Sequence, residues 1–445
     1  SYLLVDRRQK LKMSKKEILL VVGVVAVIVF VVVMLGTIGK KTCVPANLEM
    51  WGLYDEPEVF AGFIKDFTDA SKCSIKIVYK KMSADTYEQD LISAFASGKG
   101  PDIWLMHNTW LPKHKDKIKE FPQDILGFGI GNFQTIFVEV AENDLTEQGK
   151  IYALPLYIDT LALFYNKDYL NTAGIASPPD TWEQLLNEDL GKLIKKNQWG
   201  GIERAGISLG TAENINRATD ILSLIMLQNG TEIIRADKKS INISGSITLD
   251  GKSYYPGKEA LRFYTDFSNP AKISYTWNRQ MPYSIDAFAN GKSAIMLSYA
   301  YQISAIKSKS PYFRYNISPM LQLKNRSFDI NYANYWAYTV SKQSKSPEMA
   351  WRFLLYLIEK ENAKRYSQLA ARPVAQRGLI EWQKKDNPNL AVFADQILTA
   401  RSWYQIDSTK IEKYFSDAIE SIVLGSATID KAIGTLTNQI NLLMK

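Results

Sequence analysis

Few residues of this sequence combine the types and the spacing that catalysis or metal binding needs. His107 and His114 are its two histidines, and no second cluster of potential ligands accompanies them to complete a metal site. The stretch DAFANGKS at 286–293 ends like a phosphate-binding loop, but Asp286 stands where that loop needs its first glycine. No motif singles out a pair of carboxylates for glycoside hydrolysis. We therefore predict no catalytic residues, no metal site and no cofactor.

Reversible binding of a polar solute fits the residue types better. Aromatic residues make up 12% of the chain, with 24 Tyr and 10 Trp, and rings with a polar group suit surfaces that contact polar, partly apolar ligands. Most of these rings are expected to be packing residues. The segment LPLYIDTLALFYN, however, places Tyr157, Asp159 and Tyr165 around an apolar core sequence that does not by itself account for them.

Alternating strands and helices near residue 50 predict how some of these groups are positioned. A strand at 48–53, a helix capped by Asp55, a second strand from Ser74, a helix near 84–97 and a strand in GPDIWLM follow one another. This order predicts a parallel sheet, whose ligands gather at the carboxyl ends of the strands. Those ends carry Trp51, Tyr54, His107, Asn108 and Trp110.

The N-terminal region predicts a membrane anchor. Residues 18–38 contain no charged residue, and a segment of this length spans a hydrocarbon core of roughly 30 Å. Lys and Arg residues are concentrated before it, so we predict a cytoplasmic segment at 1–17, an anchor in the lipid bilayer at 18–38 and a linker at 39–46. The binding domain is then extracytoplasmic, where Cys43 and Cys73 are predicted to form a disulfide.

The charge distribution excludes a nucleic-acid partner. The formal net charge is +8, and the excess of basic residues lies at the N-terminus. Elsewhere acidic and basic residues alternate as on a solvated surface, and no basic stripe with interleaved aromatics marks a groove for nucleic acid.

Several segments in a fixed order resemble one protein family. These are GKIYALPLYIDTLALFYNKDYL, PPDTWEQLL, DAFANGKSAIMLSYAY and YWAYTVSKQSKSPEMAWRFLLYL. Over about residues 47–445 the chain resembles the extracellular solute-binding proteins of the maltose-binding class, which are substrate-binding proteins of ABC importers. The resemblance implies an α/β, two-lobe periplasmic-binding-protein-like (type II) fold with three hinge crossings and a ligand cleft between the lobes.

The resemblance also implies lobe boundaries and site residues. The first lobe would comprise 47–156 and 336–371, and the second 157–335 and the C-terminal helices of 372–445. The crossings would lie near Pro155, at NYWAYTVS and near AARPVAQ. The implied ligand-binding residues are Asp159, Tyr299, Tyr301, Trp110, Trp336, Trp403, Tyr404, Asn108, Arg372 and, as readily a core residue, Trp51.

The implied function is that of a membrane-tethered extracytoplasmic receptor, expected to be a monomer. It would capture a small solute by lobe closure, with a sugar or oligosaccharide favoured, and deliver it to ABC permease subunits. A cationic amine or a peptide remains an alternative ligand. A sensing or adhesion module on the same fold, or a surface glycan-active enzyme, remains an alternative function.

Overall fold

The computed structural model describes residues 45–71, 73–123, 125–325 and 327–445. The predicted cytoplasmic segment (1–17) and anchor (18–38) lie outside these ranges, as does most of the predicted linker. Cys43 also lies outside them, so its disulfide with Cys73 stays a prediction. Within the described ranges, no helix is both long and apolar enough to cross a bilayer.

The first lobe is built on a five-stranded sheet that confirms the predicted parallel unit. Its first three strands run parallel. The strand 336–340 pairs antiparallel with 103–107, and the short edge strand 154–155 pairs antiparallel with 336–340. Gly98, at a φ of +69°, follows the second helix and allows the sharp turn into the next strand. In spatial order the strands are Ile75–Lys81, Ala46–Gly52, Ile103–His107, Trp336–Val340 and Leu154–Pro155.

Helices cover this sheet because their apolar side chains recur at helical spacing. Phe60 and Phe63, on the first helix, are fully buried, and Trp351 of a later helix lies in the same core. Burying such a side chain contributes about 1.5–3 kcal/mol. The helices of this lobe are Pro57–Ala70, Tyr87–Ala96, Leu111–His114, Ile130–Ile136, Glu139–Leu145, Pro347–Leu357, Lys360–Ala370 and Ile380–Asp386.

The second lobe has its own five-stranded sheet and its own core. Its central strand pairs with one antiparallel and one parallel neighbour. In spatial order the strands are Tyr315–Ser318, Ala162–Asn166, Ser293–Ser298, Ile202–Ile207 and Lys195–Lys196. The main helices are Lys167–Thr172, Ala218–Gln228, Pro256–Asp266, Ser284–Ala289, Gln302–Lys309, Pro388–Gln396, Ser408–Val423 and Ile429–Leu443.

Three crossing segments join the lobes and are hydrogen-bonded to one another. The chain leaves the first sheet at Pro155 and enters the second at Ala162, which confirms the predicted first crossing. The backbone of residues 159–161 pairs with 332–334, and Asn331–Tyr332 pairs with Ala400–Arg401. The crossings therefore form a narrow three-stranded strap between the two sheets.

Three details differ from the sequence predictions. The third hydrogen-bonded strand of the strap lies at 400–401, whereas the third crossing was predicted near AARPVAQ. Residues 372–445 were predicted to belong to the second lobe, but Val374 and Ile380 pack in the core of the first lobe. The cap of the first helix is Glu56 rather than Asp55. Asp55 instead accepts a hydrogen bond from the Tyr366 hydroxyl at 2.7 Å, a partner far away in the sequence.

Candidate functional site

A cavity of about 480 Å³ lies between the lobes, within the size range of small-molecule sites. The first lobe contributes residues that follow the strands 75–81 and 103–107, as expected for the carboxyl ends of parallel strands. The second lobe contributes residues 217–220 and 405–412. The side chains used below are Tyr87, Glu88, Trp110, Lys113, Arg217, Asp220, Trp336 and Glu412. We call this space the interlobe cavity.

Aromatic rings form one wall of the interlobe cavity. Trp110 and Trp336 meet edge to face, with ring centroids 5.0 Å apart, and Tyr87 contacts both. The indole Nε1 of Trp110 donates to Ser408 Oγ at 3.1 Å, and this bond runs from the first lobe to the second. The rings of this wall therefore support one another, and the two lobes are in contact at its edge.

A buried ion pair forms the opposite wall. Arg217 precedes the helix 218–228 with a φ of +57°, and its guanidinium donates two hydrogen bonds of 2.9 Å to Asp220. The Asp220 carboxylate also accepts from the Tyr299 hydroxyl at 2.7 Å and from Asn334 Nδ2 at 2.9 Å. Burial alone would raise the pKa of Asp220, but the charge and hydrogen bonds of Arg217 hold it below its usual value.

A second charged group spans the lobes at the rim of the cavity. Lys113 Nζ lies 2.9 Å from Glu88 and 3.3 Å from Asp407, which belongs to the second lobe. His114 Nε2 lies 2.8 Å from the same Glu88 carboxylate. Burial would raise the pKa of Glu88, but hydrogen bonds from His114 and Lys113 lower it to about 2. Glu88 is therefore ionised at neutral pH.

His107 lies between the aromatic wall and the ion pair. Its Nδ1 is 2.8 Å from Thr109 Oγ1 and its Nε2 is 3.1 Å from Asn334 Oδ1. Burial, together with the positive charge of Arg217, lowers the pKa of His107 to about 4. The imidazole is consequently neutral at pH 7, and it contributes a hydrogen-bonding group rather than a positive charge.

The structure brings some of the predicted site residues together. Trp110, Trp336 and Asn108 line the interlobe cavity. Trp403 and Tyr404 line a second cavity, of about 500 Å³, which shares Asn108 with the first. Ligand contact by these five residues stays a prediction, and their positions are compatible with it.

Asp159 lies elsewhere than predicted. It is 1% exposed, and its carboxylate accepts from the backbone N–H groups of Thr160, Ala300 and Tyr301 at 2.9–3.1 Å. Burial raises the pKa of Asp159 to about 7, opposed by these hydrogen bonds and by Arg372. A carboxylate surrounded in this way fixes the first crossing to residues 300–301 and does not face the cavity.

The two predicted tyrosines of the second lobe support the cavity rather than line it. Tyr299 is fully buried, and its hydroxyl donates to Asp220 at 2.7 Å. Tyr301 stacks on Tyr299 at 5.8 Å, and its hydroxyl is 3.3 Å from Asn216 Oδ1. Both rings therefore position groups of the second lobe beneath the cavity surface.

Trp51 and Arg372 contact other residues of the protein and lie away from the interlobe cavity. Trp51 is a core residue of the first lobe, and its Nε1 donates to Glu49 at 2.6 Å. The Arg372 guanidinium lies 3.6 Å from Asp55 and 5.0 Å from the centre of the Tyr157 ring. Neither residue lines the interlobe cavity, so the predicted contact of either with a ligand lacks support from its position.

Sequence reasoning missed the charged residues of the cavity. Glu88 and Lys113 follow the carboxyl ends of predicted strands, and this position could have identified them as candidate site residues. Arg217 and Asp220 lie at the start of the helix Ala218–Gln228, and Glu412 lies near the start of the helix Ser408–Val423. Nothing in their local sequence marks them. Their role depends on contacts between segments almost 200 residues apart, such as that of Arg217 with Glu412.

The second cavity contains a buried acid, Asp144, with a testable titration. Its carboxylate accepts from Asn108 at 2.9 Å and Tyr335 at 3.0 Å and from the Ser402 hydroxyl. Burial raises its pKa to about 6, opposed by these hydrogen bonds. The folded protein therefore binds this proton more tightly than the unfolded chain, and this group lowers stability as the pH rises from about 4 to about 6.

We expect Asp144→Asn to remove this dependence, because an amide can donate to Ser402 while its oxygen keeps the other two partners. The melting temperature of the variant, measured relative to the unsubstituted protein, should rise between pH 4 and pH 7. Asp417→Asn on an exposed helix surface is the comparison, and it should show no such trend. A constant difference for Asp144→Asn across this range would contradict the assignment.

Comparisons with known proteins agree with this architecture. The family described as bacterial extracellular solute-binding protein matches residues 62–391. A Brucella abortus (strain 2308) protein named as a binding protein is 24% identical over 397 residues, covering 86% of this chain and 89% of the relative. The maltodextrin-binding protein MdxE of Bacillus subtilis (strain 168) is 26% identical over 309 residues, covering 67% and 65%.

Similarity to a solved structure extends over both lobes. The sugar-binding protein MalE of Xanthomonas citri superposes with a TM-score of 0.72 at 20% identity, covering 89% of this chain and 97% of that one. This likeness establishes the two-lobe fold. With the family match over 62–391, it leads to one conclusion: the chain belongs to the bacterial extracellular solute-binding proteins.

Proposed function

We propose that this protein is a receptor that captures a small carbohydrate between its lobes and passes it to an ABC importer. The observation that supports the proposal most directly is the interlobe cavity of about 480 Å³, lined from both lobes. Membership of the solute-binding family supports reversible capture rather than catalysis. The relatives named for maltodextrin and galactooligosaccharide favour a sugar as the solute.

The chemistry of the cavity suits a sugar ring. Indole rings such as those of Trp110 and Trp336 cover the apolar faces of a sugar and add a large contact area at low entropic cost. Carboxylates accept hydrogen bonds from hydroxyl groups, and such charge-assisted bonds are stronger than neutral ones. Glu88 and Glu412 supply carboxylates at two sides of the cavity. The indoles can therefore cover the faces of a sugar ring while these carboxylates accept hydrogen bonds from the hydroxyl groups at its edges.

Contacts between the lobes provide a mechanism for capture. The bond of Trp110 to Ser408 and the ion pair of Lys113 with Asp407 join the lobes beside the cavity. These contacts exist only while the lobes are close. A solute that touches both walls adds to them and shifts the equilibrium toward closure by its differential affinity for the closed form.

Residues 18–38 would keep the receptor at the membrane. A tether raises the effective concentration of a receptor near its permease without any new contact. Membrane fractionation tests this part: the protein should sediment with membranes, and a variant that lacks residues 1–38 should not. Co-purification of permease subunits with the tethered form would separate delivery to an importer from a sensing or adhesion role.

The capture step is tested with the purified protein and a panel of maltose- and galactose-based oligosaccharides. We expect saturable changes in tryptophan fluorescence, a smaller radius of gyration in X-ray scattering, and recovery of the unchanged sugar by chromatography. Formation of cleavage products would indicate a glycan-active enzyme. An absence of saturable binding across neutral, charged and peptide ligands would reject the receptor.

A further inference from the structure

Each cation that lines the interlobe cavity is shared between two carboxylates. Arg217 is held by two hydrogen bonds to Asp220, and its remaining Nη1 lies 3.2 Å from Glu412. Lys113 lies between Glu88 at 2.9 Å and Asp407 at 3.3 Å. One negative charge is therefore left over in each group, because a single cation balances a single carboxylate.

Nothing else among the described lining residues compensates this excess. Asp85, which is exposed, adds a further carboxylate to the lining. His107 is the remaining basic side chain of the lining, and burial lowers its pKa to about 4, which keeps it neutral. The cavity is thus acidic in a chain whose formal net charge is +8. Clefts lined by one sign of charge concentrate ligands of the opposite sign.

Among the four carboxylates that contact Arg217 or Lys113, Glu412 is the most accessible. Its side chain is 51% exposed, whereas that of Asp220 is 4% exposed. Asp220 would still hold the Arg217 guanidinium through two hydrogen bonds if Glu412 turned to a ligand, and an exposed ion pair such as that of Arg217 with Glu412 contributes little to stability. The edge-to-face indoles of Trp110 and Trp336 stand on the other side of the same space, and indole faces attract cations as well as apolar sugar faces.

We propose that the solute is an amino sugar that carries a free ammonium group, bound by Glu412 with Glu88 nearby while Trp336 and Trp110 cover the sugar ring. This assignment rests on the proposed function and narrows its solute class. The surplus carboxylates take the place of the counter-ions that the ammonium group has in water, and the hydroxyl groups bond to the same carboxylates. A neutral sugar leaves that negative charge uncompensated.

Three disaccharides with the same β-1,4 linkage test the proposal on the full-length protein by calorimetry. They are the glucosamine dimer, its N,N'-diacetylated form and cellobiose, which differ at the 2-position in bearing an ammonium, an acetamide or a hydroxyl group. We expect the glucosamine dimer to bind about tenfold tighter than the two neutral sugars, the size of one charge-assisted hydrogen bond. Its affinity should fall as salt concentration rises.

A pair of variants on one helix assigns the effect to a residue. Glu412→Gln should weaken binding of all three sugars, because each loses a charged acceptor for its hydroxyl groups, but it should weaken the glucosamine dimer about tenfold more than cellobiose, because only the dimer also loses a partner for its ammonium group. Asp417→Asn is the matched control. Asp417 lies on the same helix, is equally exposed at 51% and pairs with Lys413 away from the cavity, so this variant should bind all three sugars unchanged.

The possible outcomes separate this inference from the proposed function. Equal or tighter binding of the neutral disaccharides overturns the amino-sugar assignment and leaves a sugar receptor. Binding of spermidine with no binding of any sugar retains the requirement for a cation but overturns the carbohydrate proposal. Binding of none of these probes overturns the inference, and the panel of oligosaccharides described above then decides the receptor function separately.

Discussion

Asp220→Ala is expected to lower the free energy of unfolding by about 3–5 kcal/mol, the largest stability change that the cavity region offers. The substitution leaves the partly buried Arg217 guanidinium, whose side chain is 26% exposed, without the carboxylate that now accepts two of its hydrogen bonds. It also removes the acceptor of the Tyr299 hydroxyl. Urea denaturation followed by circular dichroism measures the change.

A double variant separates the loss of the charge partner from the loss of packing. Arg217→Met together with Asp220→Ala removes both charges, and it should recover a large part of the stability, because an unpaired buried charge costs more than a deleted pair. Asp430→Ala is a control, since that side chain is 73% exposed in its ion pair with Lys258. A loss below about 1 kcal/mol for Asp220→Ala would indicate an exposed, weakly coupled pair.

Trp336→Ala is expected to weaken solute binding by about thirtyfold or more, equivalent to at least about 2 kcal/mol, as for aromatic residues at the centre of an interface. The indole contacts Trp110 at 5.0 Å, His107 at 5.1 Å and Tyr87 at 6.0 Å between ring centroids. Removing it therefore takes away both a ligand surface and the support of neighbouring rings. Calorimetry with the sugar found in the fluorescence screen measures the loss.

Two further variants make this result interpretable. Trp336→Phe retains an aromatic ring and should recover most of the affinity if ring contact is the cause. Trp199→Ala removes an indole that is 81% exposed and outside the interlobe cavity, and it should leave affinity unchanged. A loss of less than threefold for Trp336→Ala would exclude this residue from the binding surface.

The sequence predicted the architecture well where short-range patterns determine it. The strands ending at Gly52, Lys81 and His107 and the helices between them follow from apolar spacing and turn residues, and all are observed. The first crossing was predicted because its segment resembles the corresponding segment of the extracellular solute-binding proteins. The cap at Asp55 was mispredicted because Tyr366, a distant residue, provides a partner for that carboxylate.

The site was predictable only in part, since a side chain's direction depends on tertiary contacts. Trp110 follows the carboxyl end of the strand Ile103–His107, and Trp336 begins an antiparallel strand at the same edge of the sheet, where it pairs with His107. Both were predicted as site residues, and both line the cavity. Asp159 was implied by the family resemblance, yet the backbone N–H groups of residues 300–301 hold its carboxylate in the protein interior. Arg217 and Glu412 were not predicted, because they form an ion pair only when the fold brings these two distant segments together.

The three-stranded strap has a mechanical consequence for opening and closing. Residues 159–161, 331–334 and 400–401 are bonded side by side, and Asp159 pins the first of them to the second lobe through Ala300 and Tyr301. We therefore expect rotation of the lobes to change the backbone where the three crossings join the first lobe, and in the first crossing this is the stretch between Pro155 and Asp159. Sliding of one lobe past the other would break the hydrogen bonds between the crossings, so we expect the strap to permit rotation and to resist shear.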